Sequence, residues 1–309
     1  MTMLDRRQIL QSAALGGAVA MQPSSARARP SSGHARDIAR TAPFLLARDG
    51  TRLFVQDWGS GRPILFLSAW TFHSNVWGSH AATLGAHGYR CVIPDRRGHG
   101  RSDVPGTGYD LETMVDDLSI IIDRLDLRDM VVVAHSMGAF EAARYCARQG
   151  KNRVSRLVLA APATPFSTRT ADNPEGWPAE AIAAQTQLIA QDFPRWIGEN
   201  EAPFFTPDTP QETRAWIKTM MTSVALPVAL LTRAATSAAD VRLDLKEITC
   251  PTLIVHGDKD VSAPLPVTGA RTARLIPNAK LIVYPDAPHG LILTHRERFL
   301  SDLLGFVRT

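Results

Sequence analysis

The stretch Val131-Val132-Val133-Ala134-His135-Ser136-Met137-Gly138-Ala139 decides how this chain is read. Val131 to Ala134 form an apolar, largely β-branched run of the kind that a strand buried on both faces requires. After Ser136 the period changes. Ala139, Ala142, Ala143 and Cys146 recur at helical spacing, Glu141, Arg144 and Arg148 fall on other faces, and Gly150 stands where a helix stops. Ser136 is therefore predicted on a strand-to-helix turn, with its hydroxyl above the strand's C-terminal end and the next backbone N–H groups aimed at a substrate oxygen. So tight a turn needs small neighbours, here Ala134 and Gly138, and the usual G-x-S-x-G becomes A-x-S-x-G. Taken alone, the same residues also fit a serine that caps an ordinary helix. The partners downstream decide between the two.

Outward from this turn the elements alternate. Phe44 to Ala47, a turn at Asp49-Gly50 and Leu53 to Trp58 read as a hairpin. Pro63 to Leu67 is a buried strand, Asn75 to His87 a helix ended by Gly88, and Arg90 to Pro94 the next strand. Leu111 to Leu125 is amphipathic, with Met114, Leu118, Ile121, Ile122 and Leu125 on one face. Arg156 to Ala160, Thr252 to His256 and Leu281 to Tyr284 are further strands, and Thr294 to Val307 a closing helix. This alternation predicts an α/β fold with a mostly parallel sheet covered on both faces, and a site at the strands' C-terminal edge. The pattern breaks over residues 163–244, where Trp177, Trp196, Trp216, Phe193, Phe204, Phe205, Met220 and Met221 accompany helical segments. That stretch is expected to be an inserted helical cap. Together its aromatic and methionine side chains can line an apolar pocket, while each one taken singly is expected to pack the cap against the core. The core then comprises residues 43–162 and 245–309.

The N-terminus reads as an address. Asp5-Arg6-Arg7-Gln8-Ile9-Leu10 resembles a twin-arginine export signal, and the apolar segment after it, Ser12 to Ala20, is too short to span a bilayer. Cleavage is expected after Ala20 or, preferably, after Ala28, where Pro30 and a Ser/Gly run begin a flexible mature start over residues 29–42. Residues 1–28 are thus expected to be a signal peptide and the mature protein an exported one, periplasmic or secreted, with no membrane span. A formal charge of +4 with no concentrated basic stripe points away from nucleic acid as a partner. Cys91, Cys146 and Cys250 are odd in number, lack metal-like spacing, and read as three small buried hydrophobes. Nothing in the sequence sets an oligomeric state.

A serine hydroxyl needs a base to take its proton and a third group to orient that base. Histidine suits the task because it titrates near neutrality. Of nine histidines, His34 falls in the flexible start, His80 and His87 on a helix, and His295 within the last helix. His135 adjoins Ser136, but consecutive side chains at a sharp turn are expected to point apart. His289 differs: it follows the last strand at once, in Tyr284-Pro285-Asp286-Ala287-Pro288-His289-Gly290, which places it at the same sheet edge as Ser136. The carboxylate should come from His256-Gly257-Asp258-Lys259-Asp260, with Pro264 opening the next helix. Asp260 lies further into the loop and is preferred. Asp258, nearer the strand, is expected to fix the loop through backbone N–H groups.

With Tyr89-Arg90-Cys91-Val92-Ile93-Pro94-Asp95-Arg96-Arg97-Gly98-His99-Gly100-Arg101-Ser102-Asp103 and Ala287-Pro288-His289-Gly290-Leu291, these stretches carry a family resemblance. From about residue 44 onward the chain resembles an α/β-hydrolase of the cofactor-free haloperoxidase, arylesterase and perhydrolase branch. The resemblance implies a Ser136–His289–Asp260 triad and no metal or organic cofactor. It implies a structural role for His99, in a tight glycine loop beside the pocket. It also implies an oxyanion hole formed by the backbone N–H groups of Trp70 and Met137. One departure stands out. The family carries His-Gly before that tryptophan and often proline after it, whereas this chain has Leu67-Ser68-Ala69-Trp70-Thr71. The absent His-Gly puts the geometry of the hole in question, and the absent proline argues against efficient perhydrolysis.

The expected substrate is a small ester or lactone, cleaved through an acyl-enzyme. A perhydrolase that uses hydrogen peroxide as acyl acceptor is the alternative enzyme, and a catalytically weak ligand-binding protein on the same fold is the alternative outside enzymes.

Overall fold

The computed structural model describes residues 43–308. The expected export signal and the flexible start therefore lie outside the described residues. Eight strands form one sheet: β1 Phe44–Leu46, β2 Arg52–Trp58, β3 Pro63–Leu67, β4 Arg90–Pro94, β5 Met130–His135, β6 Val154–Ala160, β7 Thr252–Gly257 and β8 Ala279–Tyr284. Their order is β1-β2-β4-β3-β5-β6-β7-β8, antiparallel at the first two pairings and parallel from β4 onward.

All six residues of β5 are buried, because the strand lies between β3 and β6 with helices above and below. Its alternation is visible in the core. Val132 and Ala134 join one apolar cluster, with Leu65, Leu67 and Leu159, while Val131 and Val133 join the other, with Ile64, Phe66 and Val158. The chain leaves β3 for β4 on one side and later returns to β5 on the other. The end of β5 therefore sits where the winding direction switches, which opens a crevice at the C-terminal edge.

Helices α1 Gly78–Ala86, α2 Leu111–Arg124 and α3 Gly138–Arg148 cover the first half of the sheet. Asp110 caps α2 by accepting from the Thr113 N–H at 2.9 Å. Beyond β6 comes the cap: α4 Ala179–Gln191, α5 Phe193–Asn200, a 3₁₀ turn at Ala202–Phe204, α6 Gln211–Thr222 and α7 Leu226–Ala238; α8 Arg242–Lys246 then returns to the core, where Leu245 is buried. Helices α9 Gly269–Leu275, α10 Leu291–Thr294 and α11 Arg296–Arg308 complete the second half. Among the described residues no single helix is long and apolar enough to cross a membrane.

Some boundaries differ from the pattern-based reading. The first covering helix opens with a 3₁₀ turn at Ser74–Trp77 before α1 begins. Pro264 does not open a helix. Its carbonyl accepts from the Val267 and Thr268 N–H groups in a turn, and Thr268 then breaks the geometry, so α9 starts only at Gly269. His295 stands between α10 and α11, with φ −120° and ψ 34°, and so interrupts the last helix. Of the cysteines, Cys91 and Cys146 are buried as expected, whereas Cys250 is half-buried.

Three histidines are locked in the interior as neutral rings. One ring nitrogen of each donates to a backbone carbonyl: His80 Nε2 to Ile292 at 3.0 Å, His99 Nδ1 to Arg97 at 2.9 Å, and His135 Nε2 to His289 at 3.0 Å. The other nitrogen of each has no partner. Protonating it would bury an uncompensated charge, and burial accordingly pushes His80 down to about 4 and His99 and His135 down to about 3. Between the unfolded value near 6.5 and these folded values, the unfolded chain binds the extra protons. Stability is thus fully present above about pH 6.5 and declines as pH falls, by up to ~1.4 kcal/mol per histidine per pH unit. The urea midpoint is expected to drop clearly between pH 7 and pH 5, and His80→Gln, which keeps a donor for Ile292, to make the slope shallower. An unchanged midpoint over that range would contradict the account.

Candidate active site

Ser136 holds φ at 53°, in the left-handed region that residues with a side chain rarely occupy. Its N–H donates to the Ala160 carbonyl at 3.0 Å, and its carbonyl accepts from Ala139 as α3 begins. The turn is tight because α3 starts directly against the end of β3. A Cβ at Gly138 would lie 2.9 Å from both Cβ and O of Leu67. The alanine at position 134, where glycine is usual, is simply absorbed into the core.

His289 arrives from the loop after β8. Ser136 Oγ–H donates to His289 Nε2 at 2.8 Å, and His289 Nδ1–H donates to Asp260 Oδ2 at 2.7 Å. The three residues named from the sequence are thus brought into one chain of hydrogen bonds, all of them buried. Asp258 takes the other role: its Oδ1 accepts from the Asp286 N–H at 2.7 Å, tying the β7 loop to the loop that carries His289. The two loops meet where Gly257 faces Ala287, and the Lys259 N–H donates to the Ala287 carbonyl at 3.1 Å.

Two histidines that sequence reasoning passed over complete the support. His135 does not point away from the site. Its ring stacks beside that of His289, centroids 5.2 Å apart, and its Nε2–H holds the His289 carbonyl. His256, at the end of β7, has Nε2 2.8 Å from the Ala263 carbonyl and 3.1 Å from Asp260 Oδ2. Asp260 Oδ1 also accepts the Ala263 N–H at 2.8 Å. Burial opposes ionisation of Asp260, but the His289 charge and the hydrogen bonds from His256 and His289 together outweigh it. Its carboxyl is therefore held well below the usual range. A signal for His256 was available in the His-Gly-Asp run at the strand end; its direction toward Asp260 depends on a turn that sequence spacing does not specify.

Trp70 and Met137 line the same cavity as Ser136 and His289. Among the described residues neither backbone N–H has an acceptor in the protein. The altered Ser68-Ala69 segment is braced in its own way. Arg96 donates from Nη2 to the Ser68 carbonyl at 2.9 Å and from Nε to the buried Glu141 of α3 at 2.5 Å. Ser68 Oγ accepts from Trp77 Nε1 at 3.2 Å. The Trp70 side chain plugs into the cap: its Nε1 donates to the Ala229 carbonyl of α7 at 3.0 Å, and its ring meets Phe193 and Trp196 edge-on.

The cavity measures about 540 Å³. Of the eight cap aromatics and methionines singled out in the sequence, Trp177, Trp196, Phe204, Phe205 and Met221 line it, whereas Trp216, Phe193 and Met220 do not. Most of these side chains therefore face the pocket, because the cap helices lie over a crevice and leave it unfilled. Phe204 reaches the centre: its ring lies 5.8 Å from that of His289, and its carbonyl accepts from the Gly290 N–H at 3.1 Å.

A serine on a strained turn, a histidine base, a buried carboxylate and two free amides beside a closed-over pocket define the equipment of an acyl-transfer site. Residues 62–296 match the model of the alpha/beta hydrolase fold, and the chain belongs to that family. It is 35% identical over 274 residues to the non-heme chloroperoxidase CPO-A1 of Kitasatospora aureofaciens, covering 86% of this chain and 99% of that protein. It is 32% identical over 276 residues to the bifunctional esterase/perhydrolase DCH of Acinetobacter calcoaceticus, covering 86% of this chain and 99% of that protein. Among solved structures, an esterase from Exiguobacterium antarcticum superposes with a TM-score of 0.83 at 31% identity, over 87% of this chain and all of that one.

The meeting of the two loops at Gly257 sets the Asp260–His289 geometry. A Cβ there would stand 1.9 Å from the Ala287 carbonyl oxygen, so the loops must part. Gly257→Ala is expected to slow labelling of Ser136 by a fluorophosphonate probe on the order of a hundredfold while leaving the far-ultraviolet circular dichroism intact. Labelling at the parent rate would show that the loop contact does not control the base.

Proposed function

We propose that this protein is a serine hydrolase that cleaves small carboxylic esters or lactones by two-step acyl transfer. The observation that carries the reading is the continuous hydrogen-bond chain from Ser136 Oγ through both ring nitrogens of His289 to Asp260.

His289 Nε2 takes the hydroxyl proton as Ser136 Oγ attacks the ester carbonyl. The oxyanion forms against the N–H groups of Trp70 and Met137, each worth ~3 kcal/mol in the transition state. His289 then gives the proton to the leaving alkoxide, which departs as the alcohol. Water, deprotonated by the same nitrogen, attacks the acyl-enzyme; the serine oxygen regains the proton and the acid is released. Asp260 fixes the ring tautomer and stabilises the imidazolium that exists between these proton transfers. The chemistry closes with these residues and water.

Relatives named chloroperoxidase and esterase/perhydrolase favour a second acceptor, hydrogen peroxide, which in place of water would yield a peracid. The missing proline bears on this. Thr71 holds φ at 62°, a conformation closed to proline, whose ring fixes φ near −65°. The loop after Trp70 therefore follows a path of its own, and Thr71→Pro is expected to damage the site for water and peroxide alike. We further propose that residues 1–28 direct export; the support is the Arg6-Arg7 pair and its apolar sequel, and the mass of the mature N-terminus separates cleavage after Ala20 from cleavage after Ala28.

Hydrolysis of a chain-length series of p-nitrophenyl esters tests the main reading. The parent protein is expected to turn over short and medium acyl chains, and Ser136→Ala to lose at least on the order of a thousandfold in kcat. Full activity in the variant would remove the assigned nucleophile. Ligand binding with no turnover in the parent would instead make the fold a binding module.

A further inference from the structure

Arg233, on the cap helix α7, lines this cavity and, among the described residues, is held by no acid. Several buried or half-buried arginines hold a carboxylate: Arg90 holds Asp57, Arg96 Glu141, Arg97 Asp117 and Arg144 Asp244. Within the cavity wall, Lys218 lies 3.8 Å from Glu201, and Arg214 donates to the carbonyls of Thr206 and Thr209. Arg233 has only the neutral Gln185, whose Oε1 accepts from Nη2 at 2.5 Å. Its Nε is buried with no acceptor. Among the described residues it makes no ion pair, and its guanidinium carbon lies 5.9 Å from the ring centroid of Trp70. Burial alone acts on its ionisation and lowers its pKa, with no nearby anion to oppose that shift.

A guanidinium half-removed from water, with unspent donors, gains most from a planar anion that can accept two N–H groups at once. It shares a chamber with Ser136 and sits beside the ring whose backbone N–H faces the reacting carbonyl in the proposed mechanism. We propose that Arg233 binds a free carboxylate on the substrate, so that the esters or lactones preferred here carry an acid group besides the bond that is cleaved. This deepens the hydrolase reading and, for catalysis, rests on it. The chamber of about 540 Å³ has room for such a ligand, with its chain along the apolar wall of Trp196, Phe205 and Met221.

The test compares matched pairs within each protein: p-nitrophenyl hydrogen glutarate against its methyl ester, which places the charge on the acyl side, and 4-acetoxybenzoate against its methyl ester, which places it on the alcohol side. In the parent, one of the two pairs is expected to favour the acid over the neutral ester by about ten- to a hundredfold in kcat/KM. Arg233→Met is expected to abolish that ratio, Arg233→Lys to retain part of it, and Lys218→Met to move it less. Because the readout is a ratio within one preparation, loss of active protein does not imitate the effect. Titration of glutarate and of benzoate into the Ser136→Ala protein, with and without Arg233→Met, asks the same question without turnover. Weaker binding of one acid in the double variant supports the role of Arg233 even where no ester is cleaved. Turnover that Ser136→Ala abolishes, with no Arg233-dependent preference in either pair or titration, leaves the hydrolase standing and overturns this assignment.

Discussion

Ser136 can act only because it is held at φ 53°, a conformation that costs roughly 1–2 kcal/mol and that the surrounding structure must impose. The imposition comes from β5, paired on both sides and buried throughout, and from the Ser136 N–H bond to Ala160 on β6. Gly138 lets α3 begin against Leu67, and that contact fixes the end of β3 relative to the nucleophile. The segment leading to Trp70 departs from that same end. Strain at the serine and placement of the two amides are therefore consequences of one close approach.

The buried carboxylates beside this turn, Asp260 and Glu141, are both partnered. Asp260 is fully enclosed, and its oxygens are taken by His289, His256 and the Ala263 N–H. His135, neutral in the fold, pins the backbone of the base while Asp260 pins its ring. Arg96 bridges the Ser68 carbonyl to Glu141, so the oxyanion segment is tied to the helix that follows the nucleophile. Breaking such a pair on one side would strand a buried charge, at a cost of several kcal/mol. The Ser68-Ala69 segment before Trp70 is thus braced by groups outside it.

Much of this could be read from residue order. The change of period at Ser136, the strand preceding His289 and the loop after Thr252 placed the three reacting groups on one sheet edge, because in a parallel sheet all C-terminal ends share that edge. What escaped the reading depends on long-range contact. His135 and His289 are 154 residues apart, and only the fold shows that the residue next to the serine holds the backbone of the base. His256 reaches Asp260 through a turn whose geometry spacing does not encode. The helix expected at Pro264 begins instead at Gly269, whose missing side chain leaves room for the His256 ring. The cap was legible as helical and aromatic. Which of its side chains face the chamber depends on how α4 to α7 sit over the crevice, a matter of tertiary packing that helical periodicity alone does not resolve.

The most direct test of the central claim is rapid-quench mass spectrometry of the protein mixed with a p-nitrophenyl ester. An acyl-enzyme mechanism predicts a transient mass increase equal to the acyl group, located on the peptide that contains Ser136 and absent from Ser136→Ala. Product formation with no acylated protein at any time, or acylation of another residue, would contradict it.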